Sequence, residues 1–255
     1  MKRVSLESAE RLFYPVIPAL VMAEHRGRVG GMLAAWWTQL SFKPLLVGVA
    51  IAPERYTYKL IRGSGVFGLN LLDFSKVEIT PYLGDVSARF MPDKLERAGL
   101  SIVKGEVLGA PIVAEAAAAV EAKLAKVVEL GDHDLFVGEV VAAYAIEDFQ
   151  GMWRLKDYKP LMYLGRTRRP GPVRRVYLAA RGWDRVELEY AGGELRRFAE
   201  LRREVLNRAI EIVKSSPTAD EAKLKLRELI RSYGLEEDDV DFYLEEALRT
   251  LKHGH

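Results

Sequence analysis

Short apolar runs separated by turn-forming residues extend over the first two-thirds of the chain, and this pattern is typical of β-strands. The predicted strands are residues 14–23, 30–37, 45–51, 66–72, 102–107, 114–128, 135–146 and 161–164. Residues 8–13, 53–62 and 75–83 have the spacing of short helices or helical turns. Many short strands with few helices predict a mainly β (α+β) fold, in which a β-barrel carries helical excursions.

Near residue 193 the spacing of apolar residues becomes that of amphipathic helices. Helices are predicted over residues 194–215, 218–233 and 236–251. The second begins with a capping box opened by Thr218 and is closed by Gly234. Charges of both signs mix along this stretch, which indicates a solvated bundle and not a nucleic-acid arm. We expect a barrel domain over residues 1–190 and a helical C-terminal extension over residues 191–255.

The predicted strand over residues 30–37 consists mostly of small residues and ends in two tryptophans. Small residues leave space for a flat group against a strand backbone, so we expect a planar cofactor here. Trp36 and Trp37 point to opposite faces because side chains alternate along a strand, and at least one of them is expected in the core. Thr38 and Ser41 are expected in a loop that leads to the next strand.

The predicted helix over residues 53–62 has Pro53 at its first position, which proline favours, and is stopped by the glycine-rich residues 63–65. Backbone N–H groups and the helix dipole favour a phosphate at such an N-terminus, and an arginine adds a bidentate donor. Arg55 and Thr57 are therefore candidate phosphate ligands. The alternative is a capping pair with a surface arginine.

Three other polar residues, Ser41, Asn70 and Lys94, each have two interpretations, and a fourth, His133, has one. Ser41 is either a phosphate ligand or a plain turn residue. Asn70 lies inside an apolar strand and, if buried, needs a partner, which is either structural or the cofactor. Lys94, in a polar segment expected to be a surface loop leading into a helix, either contacts a phosphate or is solvated. His133 lies in a predicted hairpin turn, where a histidine is usually solvated.

Composition narrows the class of protein. A chain of 255 residues that is 49% hydrophobic and 29% charged forms one large domain or one domain with an appendage. The net charge of +2 gives no argument for binding nucleic acid or a membrane. The longest apolar runs reach about nine residues, too short to span a bilayer. Glu7 and Glu10 interrupt any signal-peptide pattern, so we expect a cytoplasmic protein.

The absence of cysteine excludes disulfides, iron–sulfur clusters, thiolate metal sites and a cysteine nucleophile. Only four histidines are present, so no multi-histidine metal site is expected. Scarce asparagine and glutamine together with abundant ionic residues suggest a heat-adapted source. Biased genome composition is the alternative explanation.

Five segments occur in order along the barrel region: GMLAAWWTQLSFKP at residues 31–44, VAIAPERYT at 49–57, FGLNLL at 67–72, GDHDLFVGEV at 131–140 and PLMYLG at 160–165. Together they resemble the flavin reductase-like family, the FMN-binding split β-barrel proteins. Flavoredoxins, archaeal ferric reductases and NAD(P)H:flavin oxidoreductases belong to it. The resemblance covers residues 14–165 and implies noncovalently bound FMN and a homodimer.

Carried over residue by residue, the resemblance implies that the flavin is lined, partly through main-chain groups, by Met32, Ala34, Ala35, Trp36 and Thr38. Phosphate contacts are implied for Ser41, Arg55 and Thr57, with Lys94 a further candidate for a cofactor or nicotinamide phosphate. Asn70 would bridge main-chain or ribityl groups, and His133 would lie near the flavin or the incoming nicotinamide. At Leu33 and Ala35, relatives often carry hydroxyl or amide side chains, so main-chain donors must replace them here.

The implied function is that of a flavoprotein oxidoreductase that passes electrons from NAD(P)H through FMN to free flavin or ferric chelates. Its partners would be small-molecule donors and acceptors, with no nucleic acid or membrane. One alternative is a flavoredoxin-like electron carrier without its own nicotinamide site, and another is a flavin-binding module whose helical tail recruits a partner. The arginine-rich residues 166–175 are an anion site, for instance for the extra phosphate of NADPH, or are solvated or paired with the acidic residues 236–241.

Overall fold

The structure is a computed structural model that describes residues 1–154, 158–166, 174–179, 185–189, 193–235, 237 and 239–253. The chain divides into two compact units, Met1–Ala191 and Gly192–His255. The predicted boundary between residues 190 and 191 lies one residue from this division.

Strands form most of the first unit. They are β1 (Ala19–His25), β2 (Arg28–Ala34), β3 (Trp37–Phe42), β4 (Leu45–Ile51), β5 (Val66–Leu71), β6 (Ile102–Lys104), β7 (Pro111–Val113), β8 (Ala118–Leu130), β9 (His133–Ala145), β10 (Leu161–Arg166), β11 (Arg174–Ala179) and β12 (Arg185–Glu189). Its α-helices are α1 (Leu6–Ala9), α2 (Tyr56–Ser64), α3 (Thr80–Asp85) and α4 (Lys94–Arg97), with 3₁₀ turns at Glu10–Phe13 and Phe74–Ile79. Strands β11 and β12 have no counterpart among the predicted elements.

A seven-stranded antiparallel sheet dominates this unit, with the strand order β2-β1-β5-β8-β9-β4-β3. Strands β2 and β3 lie at its opposite edges, yet only Ala35 and Trp36 separate them in the sequence. So short a link brings the two edges together, and the sheet curls into a barrel. The main-chain N–H of Ala50 donates to the Trp36 carbonyl at 2.9 Å, which extends the pairing of β4 with β3 into this link. The predicted mainly β (α+β) barrel with helical excursions and C-terminal helices is confirmed.

Both faces of β1 are buried. Because side chains alternate along a strand, each face packs into a different hydrophobic cluster. Ala19, Val21 and Ala23 pack into the barrel interior with α2. Leu20 and Met22 face a second cluster on the outer side, which α3 and α4 complete. A strand buried on both faces reads as a continuous apolar run, as the sequence of β1 does.

Helix α2 packs against β2, and its position depends on a glycine. A Cβ atom on Gly30 would lie 2.7 Å from the Leu60 side chain of α2, and one on Gly31 would lie 2.8 Å from Met22. The prediction that these small residues leave space for a planar cofactor is therefore wrong at both glycines. The space is filled by the protein's own side chains, and it allows α2 to approach the sheet closely.

The predicted strand over residues 30–37 is also interrupted, because β2 ends at Ala34 and β3 begins at Trp37. Thr38 and Ser41 consequently lie within β3 and not in a loop, which corrects the prediction for both residues. Helix α2 begins at Tyr56, three residues after Pro53, and runs through Gly63. Gly65 ends it with a left-handed φ of 71°, as its sequence predicts.

Residues 85–97, predicted as a polar surface loop leading into a helix, bury two of their cationic side chains. The side chain of Arg89 is 6% exposed and that of Lys94 is 1% exposed. The guanidinium of Arg89 lies 5.2 Å from the centre of the Tyr56 ring, a cation–π contact with helix α2. The prediction of a solvated segment is therefore wrong at Arg89 and Lys94, because other parts of the first unit cover both side chains.

Glu121 lies on β8, within the predicted strand over residues 114–128, and is fully buried although glutamate is usually exposed. Its carboxylate accepts hydrogen bonds from the main-chain N–H groups of residues 107, 108 and 110 at 2.7–3.2 Å. The Tyr144 hydroxyl donates to it at 2.6 Å, and a side chain on Gly105 would overlap it. The buried charge therefore organises the loop between β6 and β7, because each of its bonds is charge-assisted.

The second unit contains α5 (Gly193–Ser215), α6 (Ala219–Ser232) and α7 (Asp239–His253), as the periodicity predicts. Thr218 caps α6 by accepting a bond from the N–H of Glu221 at 3.3 Å. Glu237 pairs with Arg227 at 3.4 Å, and Asp241 pairs with Lys223 at 2.9 Å. Both acidic side chains therefore form ion pairs with basic side chains of α6. The arginine side chains of residues 166–175 lie outside the described residues. No helix in the described ranges is both long and apolar enough to cross a membrane.

We expect Glu121→Gln to destabilise the first unit by about 2–4 kcal/mol at neutral pH, because an amide cannot replace a buried carboxylate among these donors. Burial alone raises the pKa of Glu121, but the bonds from Tyr144 and the main chain outweigh it and hold the pKa below its ordinary value of 4.5. The stabilisation is thus present above that value and disappears as the pH falls through the lower pKa of the folded state.

Urea unfolding followed by tryptophan fluorescence measures this difference, since all four tryptophans lie in the first unit. Glu139→Gln, at an exposed position on β9, is the matched control and should change stability little. Two outcomes would contradict the role of this carboxylate. One is an equal loss of stability in both variants, and the other is a loss of stability in Glu121→Gln that persists in acid.

Candidate functional site

The register of the strands brings three predicted site residues to one end of β4. Trp36 bonds to Ala50 near the end of this strand. His133 is the first residue of β9, and the next residue, Asp134, pairs with Ile51 of β4. The chain then turns into α2, where the N–H of Arg55 donates to the carbonyl of Ala52 at 3.0 Å.

Trp36 and His133 form an aromatic pair at this end of β4. Their ring centres are 4.6 Å apart with planes tilted by 53°, and Trp36 remains 48% exposed. Trp37 points the other way, packs against the barrel core and donates its indole N–H to the Ile17 carbonyl at 2.7 Å. The two tryptophans divide as predicted, with Trp37 packed toward the core and Trp36 exposed.

Two carboxylates flank His133 in the sequence, and each has a different partner. Asp132 lies 2.9 Å from Nδ1 of His133, and this hydrogen bond lowers the pKa of Asp132. Asp134 accepts a bond from the Tyr58 hydroxyl at 2.7 Å. Burial, together with this bond, raises the pKa of Tyr58 to about 12. The Tyr58–Asp134 bond ties α2 to β9, and nothing in the spacing of these residues predicted it.

The N-terminus of α2 is the cationic part of the candidate site. Arg55 is its N-cap residue and makes no side-chain capping bond, so the N-terminal N–H groups are not covered by that side chain. The Arg55 side chain is 42% exposed and lies 3.7 Å from Glu54. Thr57 is only 3% exposed. Arg55 is therefore open to solvent, whereas Thr57, the other predicted phosphate ligand, is buried.

Lys94 is neither solvated nor on the surface, so both interpretations of this residue need correction. Its ammonium group donates to the carbonyls of Leu83 and Val86 at 3.2 and 2.6 Å, at the C-terminal end of α3. Burial lowers the pKa of Lys94 to about 7, with opposing contributions from Asp85, which raises it, and Arg55, which lowers it. Lys94 thus lies within electrostatic reach of Arg55 but behind the surface.

The predicted flavin-lining residues divide between the surface and the interior. Met32 and Ala34 pack into the barrel core, and Ala35 packs against the cluster around Leu161 and Tyr163. Thr38 is exposed, two residues after Trp36 on β3, and its hydroxyl donates to a main-chain carbonyl at 3.2 Å. Ser41 is half-buried farther along β3.

Asn70 is fully buried, and its side-chain amide is used by the fold. Nδ2 donates to the Leu20 carbonyl at 3.1 Å, and Oδ1 accepts from the N–H of Val113 at 2.8 Å. The structural alternative for Asn70 is the one observed, because these two bonds join β1, β5 and β7 without a cofactor. Within the described ranges, no group of three or more His, Asp or Glu side chains is arranged to hold a metal ion.

Comparison with known proteins identifies the class to which this fold and site belong. The family model of the flavin reductase like domain matches residues 11–172. The chain therefore belongs to the flavin reductase-like family, and the resemblance drawn from the five sequence segments is confirmed.

Two relatives extend this result. An uncharacterized protein of Aeropyrum pernix is 58% identical over 253 residues, which cover 99% of this chain and 96% of that protein. A ferric-chelate reductase (NAD(P)H) of Archaeoglobus fulgidus is 32% identical over 157 residues, covering 60% of this chain and 89% of the reductase. The helical second unit thus has a counterpart in the Aeropyrum protein, whose match covers nearly all of this chain.

Two solved structures are similar to the chain in fold and sequence. The flavoredoxin of Desulfovibrio vulgaris matches with a TM-score of 0.57 and 26% identity, covering 76% of this chain and 96% of the flavoredoxin. An FMN-binding protein of Thermus thermophilus matches with a TM-score of 0.56 and 28% identity, covering 76% of this chain and 99% of that protein. Both support a flavin-binding class of protein.

Proposed function

We propose that this chain binds FMN noncovalently at the end of β4 and transfers electrons from NAD(P)H to free flavin or ferric chelates. The observation that carries the proposal is the exposed aromatic ring of Trp36, paired with His133, beside the cationic N-terminus of α2. FMN has the same two parts, a planar ring system and an anionic phosphate. Family membership and the ferric-chelate reductase relative support the assignment.

The residues present fit each part of FMN. A helix N-terminus without a side-chain cap favours an anion, and the half-exposed Arg55 offers a planar pair of donors to a phosphate. Trp36 offers a face for stacking, and Thr38 an exposed hydroxyl two residues farther along β3. Met32, Ala34 and Ala35, which are packed inward, would contribute through main-chain groups.

Hydride acceptance and electron release are properties of the flavin when it is bound, and the protein contributes binding, orientation and exclusion of water. In this assignment Arg55 and the first turn of α2 anchor the phosphate. Trp36 and His133 limit where the ring and a second planar molecule can lie. Lys94, when protonated, adds positive potential within electrostatic reach of Arg55.

Arg55→Ala should weaken FMN binding about 10- to 150-fold, because a charge-assisted bond contributes roughly 1.5–3 kcal/mol. Riboflavin, which has the same ring but no phosphate, should bind both proteins equally. Arg62→Ala, at an exposed position in the last turn of α2, removes the same charge and is the matched control. Titrations followed by flavin fluorescence give the affinities. Equal loss for riboflavin and FMN would show that Arg55 does not bind the phosphate.

A flavoredoxin-like electron carrier is the second candidate, and the similarity to a solved flavoredoxin favours it. Such a carrier takes electrons from another protein and has no nicotinamide site of its own. The two functions differ in one reaction of the FMN-loaded protein, its direct reduction by NADH or NADPH.

We expect NADH or NADPH, added without oxygen, to bleach the visible absorbance of the bound flavin within the time of enzyme turnover. Reoxidation by a ferric chelate or by free flavin should restore the colour. Dithionite, which reduces flavin without a nicotinamide site, is the control that the cofactor is competent. Bleaching by dithionite but by neither nicotinamide would reject the reductase and favour the carrier.

The implied homodimer is also part of the proposal. Strand β3 is an edge strand, and apolar side chains are exposed on or beside it: Leu40 at 43%, Phe42 at 82% and Leu45 at 39%. A hydrophobic edge strand left in water invites pairing with another chain, so a second copy would protect this edge.

Phe42→Glu should convert the proposed dimer into a monomer, because it would bury a charge in an apolar interface. Light scattering coupled to size-exclusion chromatography measures the molar mass directly. Leu248→Glu, at a 42% exposed position in α7, is the matched control and should leave the assembly unchanged. A wild-type protein that is monomeric across the concentration range would refute the dimer.

A further inference from the structure

The imidazole of His133 has two neighbours, the Trp36 ring and the Asp132 carboxylate. The Trp36 ring packs against the imidazole, with 4.6 Å between ring centres and a 53° tilt between ring planes. Asp132 meets its edge, with 2.9 Å between Oδ1 and Nδ1. His133 itself is about one-quarter exposed, at 27%, whereas Asp132 is 92% exposed. A carboxylate this exposed to water does not contribute to core packing.

The chemistry of this bond determines where the proton lies. An ionised carboxylate can only accept hydrogen bonds, and the bond from His133 keeps the pKa of Asp132 below its ordinary value of 3.8. Asp132 is consequently ionised near neutral pH, and Nδ1 of His133 must carry the hydrogen. In the neutral imidazole the other nitrogen, Nε2, then has a lone pair and acts as an acceptor.

We propose that Asp132 is a positioning residue that holds His133 as the Nδ1–H tautomer, so that Nε2 accepts a hydrogen bond from an N–H group of a ligand ring stacked near Trp36. The tautomer follows from the geometry of this chain alone. The identity of the donor, an amide or imide N–H of a flavin or nicotinamide, rests on the proposed function. An N–H within the ring, or on an amide attached to it, is a suitable donor because it lies close to the plane of a stacked ligand.

The tautomer is measured without any ligand, by two-dimensional ¹H–¹⁵N spectra that correlate the imidazole nitrogens with the ring protons. Four histidines give few signals, and His133→Gln assigns the one from His133. We expect the Nδ1–H form in the wild type and in Asp132→Glu, and a shift to the Nε2–H form, which free imidazole side chains favour, in Asp132→Ala. Glu129→Ala removes a charge from the same hairpin and should leave the tautomer unchanged.

A wild-type His133 in the Nε2–H form, or an Asp132→Ala protein that keeps the Nδ1–H form, would overturn the proposal. Neither result depends on FMN or on NAD(P)H. A failure of the tautomer assignment is therefore distinct from a failure of the proposed function.

A double-mutant cycle tests whether Asp132 acts through His133. In the FMN-loaded protein, Asp132→Ala should slow reduction by NAD(P)H about threefold to tenfold, the effect of one hydrogen bond. In a His133→Gln background the same substitution should have no further effect, and Asp132→Glu should restore most of the rate. Additive losses would show that Asp132 contributes independently of His133.

Discussion

The two-residue link between β2 and β3 is the constraint on which the rest of the first unit depends. These strands lie at opposite edges of a seven-stranded sheet, so the sheet has to curl until Ala35 and Trp36 can connect them. The closure directs Trp37 into the barrel and leaves Trp36 at the surface, because neighbouring residues of an extended chain point to opposite sides. The bond between Trp36 and Ala50 then fixes this aromatic ring beside the end of β4.

Helix α2 brings the cationic half of the candidate site to the same place. It approaches the sheet closely because Gly30 leaves room for Leu60, and Tyr58 anchors it to β9 through Asp134. Its N-terminus follows β4 after a short turn, so Arg55 lies at the end of the strand that Trp36 and His133 also flank. The packing that places α2 against the sheet therefore also sets the position of Arg55 in the candidate site.

Two buried ionisable groups, one acidic and one basic, stabilise loops around this framework, and both do so through the main chain. Glu121 accepts three main-chain N–H bonds between β6 and β7, and Lys94 donates to two carbonyls at the end of α3. A buried charge is tolerated when hydrogen bonds compensate for its lost hydration. Neither group lies where residue type alone would place it, since lysine and glutamate are usually exposed.

The sequence by itself determined the strand-rich class, the helical second unit, the hairpin before His133 and the family. These features follow from local periodicity, turn-forming residues and short motifs, which act over a few residues. Only the tertiary structure decided that Gly30 admits a helix and not a cofactor. Likewise, it decided that Asn70 and Glu121 bond to distant main chain, and that Trp36 meets His133. Such outcomes depend on which strands become neighbours when the barrel closes, and contacts between segments far apart in the chain leave no local pattern.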